Sequence, residues 1–306
     1  MPKVSICIPA YSQIFYLKKT IDSVLTQTYN DYEIVITDDS PGNIVKDLVL
    51  DYNLPDRIKY YKNESVLGSP ENWNEAIRRS AGEYIKILHH DDWLNSKDSL
   101  AKYVQLLDQY PDVDLAFSAT QVKSTEGNDW VHRISTKDVE NIQANSLNLF
   151  THILIGAPSA VIFRKNTNLF FDRHLKWLVD MEFYLRQLNR NPRTAFCPDL
   201  LVVTFGAEGR VTDECANNKT VEVFEYFYTL QTIFNRKKRY GGRPLIACII
   251  KAICICEKYG VTNKREVRAC GYNGNIPALI HIYFVLANGR AFMGRYFIKF
   301  LRRLLA

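Results

Sequence analysis

Short apolar segments alternate with segments of helical spacing through the first half of the chain. The apolar segments are rich in β-branched residues, which is typical of buried strands. They are Lys3–Pro9, Tyr32–Thr37, Arg57–Tyr61, Tyr84–Leu88 and Asp114–Ala119. Between them, apolar residues recur at spacings that predict helices with one buried face, the first formed by Ile14, Leu17, Ile21, Val24 and Leu25. The alternation predicts an α/β fold with a mostly parallel central sheet flanked by helices, in which ligands bind at the carboxyl ends of the strands.

The second half of the chain has a different pattern. Residues 122–145 are mostly polar. The segments that follow are a predicted strand at Ser159–Arg164, a predicted helix at Asp180–Leu188 and two predicted strands within Thr194–Phe205, separated by Cys197 and Pro198. From Asn217 onward the spacing is helical. We therefore predict one α/β domain over residues 1–216 and a helical C-terminal extension over residues 217–306.

The composition is that of a folded globular protein. The chain has 306 residues, of which 47% are hydrophobic and 24% are charged, so it can bury a large core. Seven cysteines, an odd number without paired spacing, predict free thiols in a reducing compartment. The first apolar segment is too short for a signal peptide, and no segment reaches the roughly 18 apolar residues of a spanning helix. We expect a cytoplasmic protein.

Charge is distributed unevenly along the chain. Residues 236–306 contain 15 Lys and Arg against two Glu, a net charge of +13, whereas residues 1–235 carry a net charge of −7. Near the C-terminus, basic residues alternate with apolar ones: Leu279, Ile282, Tyr283, Leu286, Arg290, Arg295, Phe297, Lys299, Phe300, Leu301, Arg302, Arg303 and Leu304. This pattern predicts amphipathic helices that lie on an anionic membrane surface, whereas nucleic acid would explain only the charge. A helical cap with a solvated basic face is the alternative.

Two adjacent carboxylates are the strongest candidate for chemistry. Asp91 and Asp92 follow the predicted strand Tyr84–Leu88, and carboxylates at a strand end suit a Mg²⁺ or Mn²⁺ ion that holds a substrate's phosphates. The alternative is that Asp92 caps a helix that begins after Trp93 while Asp91 is solvated. His89 and His90 precede the pair, but we do not expect zinc, because a third protein ligand with suitable spacing is missing.

Other polar residues follow predicted strands or begin predicted helices. Asp38 and Asp39 can accept hydrogen bonds from a nucleotide's ring N–H or ribose hydroxyls, or can serve as turn carboxylates in the segment DDSPGN. Tyr11 can stack on a base or pack at the strand end. Asp180, in the segment WLVDMEF, is a candidate general base or a helix N-cap. The three carboxylate sites follow one another around one predicted sheet. Together they favour functional roles over the structural alternatives.

The sequence around these residues resembles a known family. KVSICIPAYSQIFYLKKTIDSVLTQTYNDYEIVITDDS is similar throughout to the amino-terminal signature of family 2 glycosyltransferases, which are inverting enzymes with the GT-A fold that transfer a sugar from a nucleotide-sugar donor. NESVLGSPENWNEAIRRSAGEYIKILHHDDWL is similar to the family's helix and Gly-Glu-Tyr-Ile strand, which lead into its Asp-x-Asp motif. The resemblance covers about residues 3–205 and implies that residues 1–216 form a GT-A catalytic domain.

The resemblance implies roles for individual residues. Pro9, Ala10, Tyr11 and Asp39 match positions where the family binds uracil and ribose, and Asp38 lies beside them. Asn74 matches an Asn of the family near the donor. Asp91 matches the metal-binding Asp of the Asp-x-Asp motif and Asp92 follows it, which implies Mn²⁺ or Mg²⁺ as cofactor. Asp180 matches the carboxylate that deprotonates the acceptor hydroxyl. We also expect Arg210 to contact the diphosphate as a second cation, or else to be a solvated loop residue.

The chain departs from the family pattern at two positions. The leading Asp of Asp-x-Asp is a histidine here, His89 or His90, and we assign His90 to the donor side. Val179 stands before Asp180 where the family has Glu. Processive members carry a Gln-x-x-Arg-Trp motif well after the base. The nearest match here, Gln187–Arg190, lacks the Trp and lies too close to Asp180, so we expect a single transfer.

The resemblance therefore implies an inverting, metal-dependent transfer of one sugar, with a UDP-sugar as the expected donor and a hydroxyl of a glycan or lipid-linked acceptor as the expected recipient. We expect a role in surface polysaccharide synthesis, at the inner face of the plasma membrane, with no nucleic-acid partner. A nucleotidylyltransferase is one alternative, although it would need a Gly-rich basic loop after the first strand, which AYSQIFY lacks. A non-catalytic sugar-nucleotide-binding protein is the other, because histidine replaces the leading Asp.

Overall fold

The structure is a computed structural model that describes residues 1–165, 169–206, 211–235, 242–289 and 291–305. It divides into two compact units. The first unit comprises Met1–Ala144, Leu154–His174 and Arg186–Glu208, and the second comprises Asn145–Ile153, Leu175–Leu185 and Gly209–Ala306. The predicted boundary at residue 217 separates a catalytic domain from a C-terminal extension by function, and it stays a prediction.

The first unit is built on a mixed sheet, which has nine strands within the described residues. They are β1 (Val4–Ala10), β2 (Tyr32–Asp38), β3 (Ile58–Lys62), β4 (Tyr84–Ile87), β5 (Trp93–Leu94), β6 (Leu115–Ser124), β7 (Trp130–His132), β8 (Val161–Arg164) and β9 (Thr194–Gly206). The order is β3-β2-β1-β4-β8-β6-β9-β5, and β7 pairs with β6. The β1–β2, β2–β3, β1–β4 and β6–β9 pairs are parallel, whereas β8 runs antiparallel to both β4 and β6. Strands β1 to β4, β6 and β9 therefore share one direction, which confirms the mostly parallel α/β prediction.

Helices flank this sheet and form most of the second unit. They are α1 (Ile14–Leu25), α2 (Ile44–Asp51), α3 (Glu71–Arg79), α4 (Ser99–Gln109), α5 (Thr136–Ala144), α6 (Asn148–Thr151), α7 (Val179–Arg190), α8 (Val211–Cys215), α9 (Lys219–Asn235), α10 (Gly242–Lys258), α11 (Lys264–Ala269), α12 (Ala278–Gly289) and α13 (Ala291–Leu305). In α1 the predicted apolar face is buried at Leu17, Ile21 and Val24, which join the core of the sheet. The burial of one helix face against the sheet is what the spacing of apolar residues predicts.

Two segments differ from the prediction. The two strands predicted on either side of Cys197 and Pro198 are one strand, β9, because a bulge absorbs the interruption. Opposite β6, the register passes directly from Cys197 to Leu200, so that Pro198 and Asp199 leave the ladder and are exposed. A proline cannot donate a ladder hydrogen bond, and a bulge lets the strand continue past it. The polar segment 122–145 holds the end of β6, the short strand β7 and helix α5.

The second unit is helical, as the spacing from Asn217 onward predicts. Helix α10 packs against α6, α9, α12 and α13. All seven cysteines of the chain are free thiols, and Cys7, Cys215, Cys248, Cys256 and Cys270 are buried. Among the residues that the structure describes, every helix is too short or too polar to span a bilayer.

Candidate functional site

A turn that follows β4 carries the main candidate residues. The Asp92 N–H donates to the His89 carbonyl at 3.0 Å, which closes residues 89–92 into a turn. The Thr20 hydroxyl on α1 lies 2.9 Å from the His90 carbonyl and 2.7 Å from the Asp92 carbonyl. The Leu88 N–H donates to the carbonyl of Cys7 on β1. The turn therefore lies at the carboxyl edge of the parallel strands, where α/β sheets bind ligands.

His89, Asp91 and Asp92 form a group that fits a divalent metal ion. One ligand atom of each residue lies within 4.8 Å of the others. His89 Nε2 is buried and has no hydrogen-bond partner among the described residues. Burial lowers the pKa of His89 to about 4, so its imidazole is neutral at pH 7, the state that binds metal. Carboxylate and imidazole together are a suitable ligand set for first-row divalent ions.

The structure changes the expected ligand count. The sequence suggested two carboxylate ligands and no third protein ligand, and the structure adds His89 to the group. The expectation that zinc does not bind stays a prediction. His90 is outside this group, and its Nδ1 lies 3.2 Å from the Pro9 carbonyl.

Asp92 does not cap a helix, and that alternative is wrong. The residues after it form strand β5, and α4 begins only at Ser99. Asp92 is 4% exposed, and its Oδ1 accepts a hydrogen bond from the Phe205 N–H at 2.9 Å. Burial, and then the neighbouring Asp91 carboxylate, raise the pKa of Asp92. Asp92 therefore joins the metal group to β9.

A buried lysine lies close to this carboxylate. Lys86 on β4 is fully buried, its ammonium donates to the Ser159 carbonyl, and it lies 4.5 Å from the centre of the Tyr103 ring. Burial lowers the pKa of Lys86 to about 7, while the charge of Asp92 opposes that shift. Sequence analysis missed Lys86, because a lysine inside an apolar strand gives no sign of whether its side chain faces solvent or the core.

An aromatic cluster packs beside His89. The Trp73 ring lies 4.6 Å from the His89 ring and 5.1 Å, edge-on, from the Phe171 ring. Asn74 is 2% exposed, and its amide accepts from the Phe171 N–H at 2.8 Å and donates to the Phe171 carbonyl at 2.9 Å. In this structure the amide of Asn74 therefore fixes Phe171 and the cluster that packs against the metal group.

The residues at the end of β1 are divided between core and surface. Pro9 and Ala10 are buried within the strand. Tyr11, directly after the strand, is 53% exposed, so the alternative that it packs at the strand end is wrong. An exposed aromatic ring at this edge of the sheet is free to stack on a base.

Asp38 and Asp39 are both buried and hydrogen-bonded within the protein. Asp38 accepts from the Tyr60 hydroxyl at 2.7 Å, the Lys62 ammonium at 3.1 Å and the Ser40 N–H at 2.7 Å. Asp39 accepts from the side chain of Asn63 at 2.7 Å and from the N–H groups of Leu67 at 3.1 Å and Gly68 at 2.8 Å. The bond from the Ser40 N–H is a turn contact within the segment DDSPGN, whereas Asp39 bonds to the segment 63–68. Contact of either carboxylate with a nucleotide stays a prediction.

Asn72 is a residue of this edge that sequence analysis missed. It is 5% exposed, and its Nδ2 lies 3.4 Å from the Ala10 carbonyl and 3.3 Å from the Thr37 carbonyl. Its Oδ1 accepts from Asn63 at 2.9 Å. Asn72 thus connects the ends of β1 and β2 to α3. In the sequence, Asn72 stands next to the apolar face of that helix. This position does not distinguish a buried asparagine from an exposed one.

Asp180 lies in the second unit, in the first turn of α7. The helix begins at Val179, so Asp180 is inside it and the N-cap alternative is wrong. Asp180 Oδ1 accepts from the Met181 N–H at 2.7 Å. Burial raises the pKa of Asp180 to about 6, opposed by backbone hydrogen bonds and reinforced by the charge of Glu225. A carboxylate with this pKa suits a general base at neutral pH.

Glu225, on α9, accepts hydrogen bonds from the backbone N–H groups just before α7. Its carboxylate accepts from the N–H groups of Lys176 at 2.7 Å, Trp177 at 2.9 Å and Leu178 at 2.7 Å. Sequence analysis did not identify it, because the residues it binds are nearly fifty positions away in the chain. The predicted diphosphate contact Arg210 lies outside the described residues, as does Arg290.

Comparison with known proteins decides the family. The family model for glycosyl transferase family 2 matches residues 5–170, which is more than half of the chain. The chain belongs to glycosyl transferase family 2. The resemblance seen in the sequence is thereby confirmed, and this glycosyltransferase transfers a sugar from a nucleotide sugar.

Sequence relatives extend the likeness beyond the first unit. A glycosyltransferase of Methanocaldococcus jannaschii is 27% identical over 243 residues, which is 78% of this chain and 82% of that protein. The GalNAc(5)-diNAcBac-PP-undecaprenol beta-1,3-glucosyltransferase of Campylobacter jejuni is 34% identical over 98 residues, which is 31% of this chain and 32% of that protein.

Solved structures of the same fold cover nearly the whole chain. Residues 1–349 of TarS from S. aureus, in complex with UDP-GlcNAc, superpose with a TM-score of 0.67 at 16% identity, covering 98% of this chain and 92% of that one. The mannosyltransferase PcManGT from Pyrobaculum calidifontis, in complex with GDP-Man and Mn²⁺, gives 0.58 at 17% identity, covering 97% and 85%. The glycosyltransferase therefore has the GT-A fold, as predicted.

Proposed function

We propose that this glycosyltransferase is metal-dependent and inverting, and that it transfers one sugar from a UDP-sugar to a hydroxyl of a glycan or lipid-linked acceptor in surface polysaccharide synthesis. The grouping of His89, Asp91 and Asp92 on one turn carries the proposal. When bound there, Mn²⁺ or Mg²⁺ would act as a Lewis acid for the leaving diphosphate. The complex of one related fold with UDP-GlcNAc supports the assignment of the donor, and the complex of another with Mn²⁺ supports the assignment of the ion.

The donor's nucleoside is assigned to the ends of β1 and β2. The exposed ring of Tyr11 offers a stacking surface for uracil, with Pro9 and Ala10 supplying backbone beside it. Asp38 and Asp39 are assigned to the ring N–H and ribose hydroxyls, and His90 to the donor side. Arg210 is assigned to the diphosphate.

Asp180 is assigned the proton transfer. As the acceptor oxygen attacks the anomeric carbon, a new carbon–oxygen bond forms on one face while the bond to the diphosphate breaks on the other. The nucleoside diphosphate departs with the bonding electron pair, and Asp180 takes the hydroxyl proton. Direct displacement of this kind inverts the anomeric configuration. The pKa of about 6 supports the role, because the carboxylate is largely ionised at pH 7 and still basic enough to accept a proton.

A test of this reaction uses the full chain with Mn²⁺, a panel of UDP-sugars and GDP-sugars, and glycan and lipid-linked acceptors. We expect a UDP-sugar to be consumed, UDP to be released, and nuclear magnetic resonance to show a product of inverted anomeric configuration. Asp180→Asn should lower transfer by about 10² or more, the scale of general-base catalysis, with donor affinity unchanged. A product of retained configuration, release of pyrophosphate, or no turnover with any donor would contradict the proposal.

We assign residues 217–306 to membrane binding. Helices α12 and α13 contact each other and expose the apolar side chains of Ile282, Val285, Met293, Tyr296 and Phe300. A groove of about 380 Å³ is lined by Leu286, Met293, Tyr296, Phe297 and Phe300. The basic residues Arg295, Lys299, Arg302 and Arg303 on α13 are exposed as well. Apolar and basic side chains exposed on one helix support binding to an anionic lipid surface, such as the inner face of the plasma membrane.

Co-sedimentation with vesicles tests this assignment. The full chain should bind anionic vesicles more tightly than zwitterionic ones, and binding should weaken with salt, because each basic residue near the surface contributes about 1 kcal/mol that salt screens. The double variant Tyr296→Ser, Phe300→Ser should lose the salt-resistant part of binding. Ile153→Ser, an 82% exposed apolar residue outside these helices, is the matched control. If the full chain does not bind anionic vesicles at low salt, the membrane assignment is wrong and the helices form a cap with a solvated basic face.

A further inference from the structure

We propose that His89 supplies a nitrogen ligand to the divalent ion, and that this ligand shifts the preference of the site from Mg²⁺ toward transition-metal ions. The inference rests on the proposed function only in that an ion binds at Asp91 and Asp92. The leading acidic residue of Asp-x-Asp is replaced here, and the structure brings the replacing imidazole to the remaining carboxylates.

The distances within the group suit metal ligands better than hydrogen bonds. His89 Nδ1 lies 4.0 Å from Asp92 Oδ2, beyond the roughly 3.2 Å limit of a good hydrogen bond. It is close to twice a metal–ligand bond of about 2.1 Å, so one ion between the two atoms can contact both. The whole group, within 4.8 Å, needs only a small inward movement of side chains to do the same.

The imidazole of His89 is held in place by packing and not by hydrogen bonds of its own ring. No ring nitrogen of His89 is hydrogen-bonded among the described residues, and Nε2 is buried. The Trp73 ring lies 4.6 Å away, and the His89 N–H donates to Ser159 Oγ at 3.0 Å. The nitrogen that lies near the carboxylates is Nδ1, 4.0 Å from Asp92 Oδ2, and its lone pair is available to an ion.

The identity of this ligand has a consequence for the ion. Mg²⁺ is a hard ion that prefers oxygen ligands, and an all-carboxylate group suits it. Imidazole favours the first-row transition ions, for which affinity rises from Mn²⁺ through Co²⁺. Replacing one carboxylate by imidazole also removes a negative charge, which weakens the attraction for every divalent ion but is compensated only for ions that bind nitrogen well. The nitrogen therefore selects Mn²⁺, Co²⁺ or Zn²⁺ over Mg²⁺.

Pulsed electron paramagnetic resonance of bound Mn²⁺ tests the nitrogen ligand directly. The full chain, without a histidine tag, is loaded with one equivalent of Mn²⁺, with and without UDP. We expect nitrogen modulation of the Mn²⁺ signal in the wild type, and loss of that modulation in His89→Asp, which restores the acidic residue of the family motif. His90→Gln is the matched control and should keep the modulation, because His90 faces the Pro9 carbonyl.

Competition between ions tests the selectivity. In equilibrium titrations, His89→Asp should lower the ratio of Mn²⁺ to Mg²⁺ affinity by about tenfold or more, since even outer-shell changes at metal sites produce effects of that size. Mn²⁺ binding without nitrogen modulation, or an unchanged affinity ratio in His89→Asp, would overturn the role of His89 and leave the proposed glycosyl transfer standing. Modulation in the wild type without sugar transfer to any acceptor would support His89 and count against the proposed function.

Discussion

Substitution of Asp180 by asparagine should stabilise the protein above neutral pH while it removes activity. The pKa of Asp180 is raised from 3.8 to about 6, chiefly by burial. The folded state therefore binds the proton more tightly than the unfolded state does. The favourable contribution of this carboxyl group to stability is complete below the unfolded pKa of 3.8 and is lost as pH rises toward 6.

The size of the effect follows from the shift. Each pKa unit corresponds to about 1.4 kcal/mol, so two units cost the folded wild type about 3 kcal/mol once Asp180 is ionised. Asparagine has nearly the same shape, can still accept the hydrogen bond from the Met181 N–H, and never ionises. We compare the free energy of unfolding of Asp180→Asn with that of the wild type at two pH values. Between about pH 4 and about pH 8, this difference should shift by about 2–3 kcal/mol in favour of the variant.

Urea unfolding followed by circular dichroism at both pH values measures this difference. Asp56→Asn, in an exposed loop, controls for the loss of one negative charge and should show no comparable change. The same two variants are assayed for sugar transfer. A stability difference for Asp180→Asn that does not depend on pH, or a variant less stable than the wild type at high pH, would refute the reasoning from burial. A stabilised but inactive variant would show that the chain retains a costly carboxylate for its chemistry.

Three further substitutions test the first unit. Asp91→Asn should weaken Mn²⁺-dependent binding of UDP, measured by calorimetry, by about tenfold or more with an unchanged melting temperature, and unaltered Mn²⁺ dependence would exclude Asp91 as a ligand. Gly82→Ala should lower the free energy of unfolding by about 1–3 kcal/mol in urea, because its Cβ would lie 2.5 Å from the Ser5 backbone nitrogen. Asn72→Ala should cost about 1–3 kcal/mol by removing the hydrogen bonds of its amide to the Ala10 and Thr37 carbonyls and to Asn63, and full stability would contradict the connecting role.

The strands and helices of the first unit were largely predictable from the sequence, because burial on both faces of a parallel sheet leaves uninterrupted apolar segments. β1 and β2 begin and end within a residue of the predicted limits. The interruption at Pro198 was recognised correctly as a break in the ladder, but a local pattern does not show that a bulge lets one strand resume. That outcome depends on β6, which runs alongside both halves.

The candidate site was predictable only in part, because its contacts join distant segments. Asp91 and Asp92 were recognisable as adjacent carboxylates after a strand. The position of His89 beside these carboxylates was not, because the turn geometry decides which of two neighbouring histidines approaches them. Lys86 and Glu225 have apolar neighbours in sequence and polar partners far along the chain. Pairings of this kind are fixed by tertiary structure, and one sequence carries no record of them.

The hydrogen bonds that Asp39 already makes within the protein compete with any bond that a nucleotide would make to its carboxylate. Both oxygens are bound by the segment from Asn63 to Gly68, one by a side chain and a backbone N–H and the other by a second N–H. A nucleotide that bonds to Asp39 must share these oxygens or displace that segment. If the segment is displaced, the apparent affinity of the nucleotide equals its intrinsic affinity multiplied by the fraction of molecules in which the segment has released the carboxylate. Substitutions between residues 63 and 68 can therefore tune donor affinity without touching the donor.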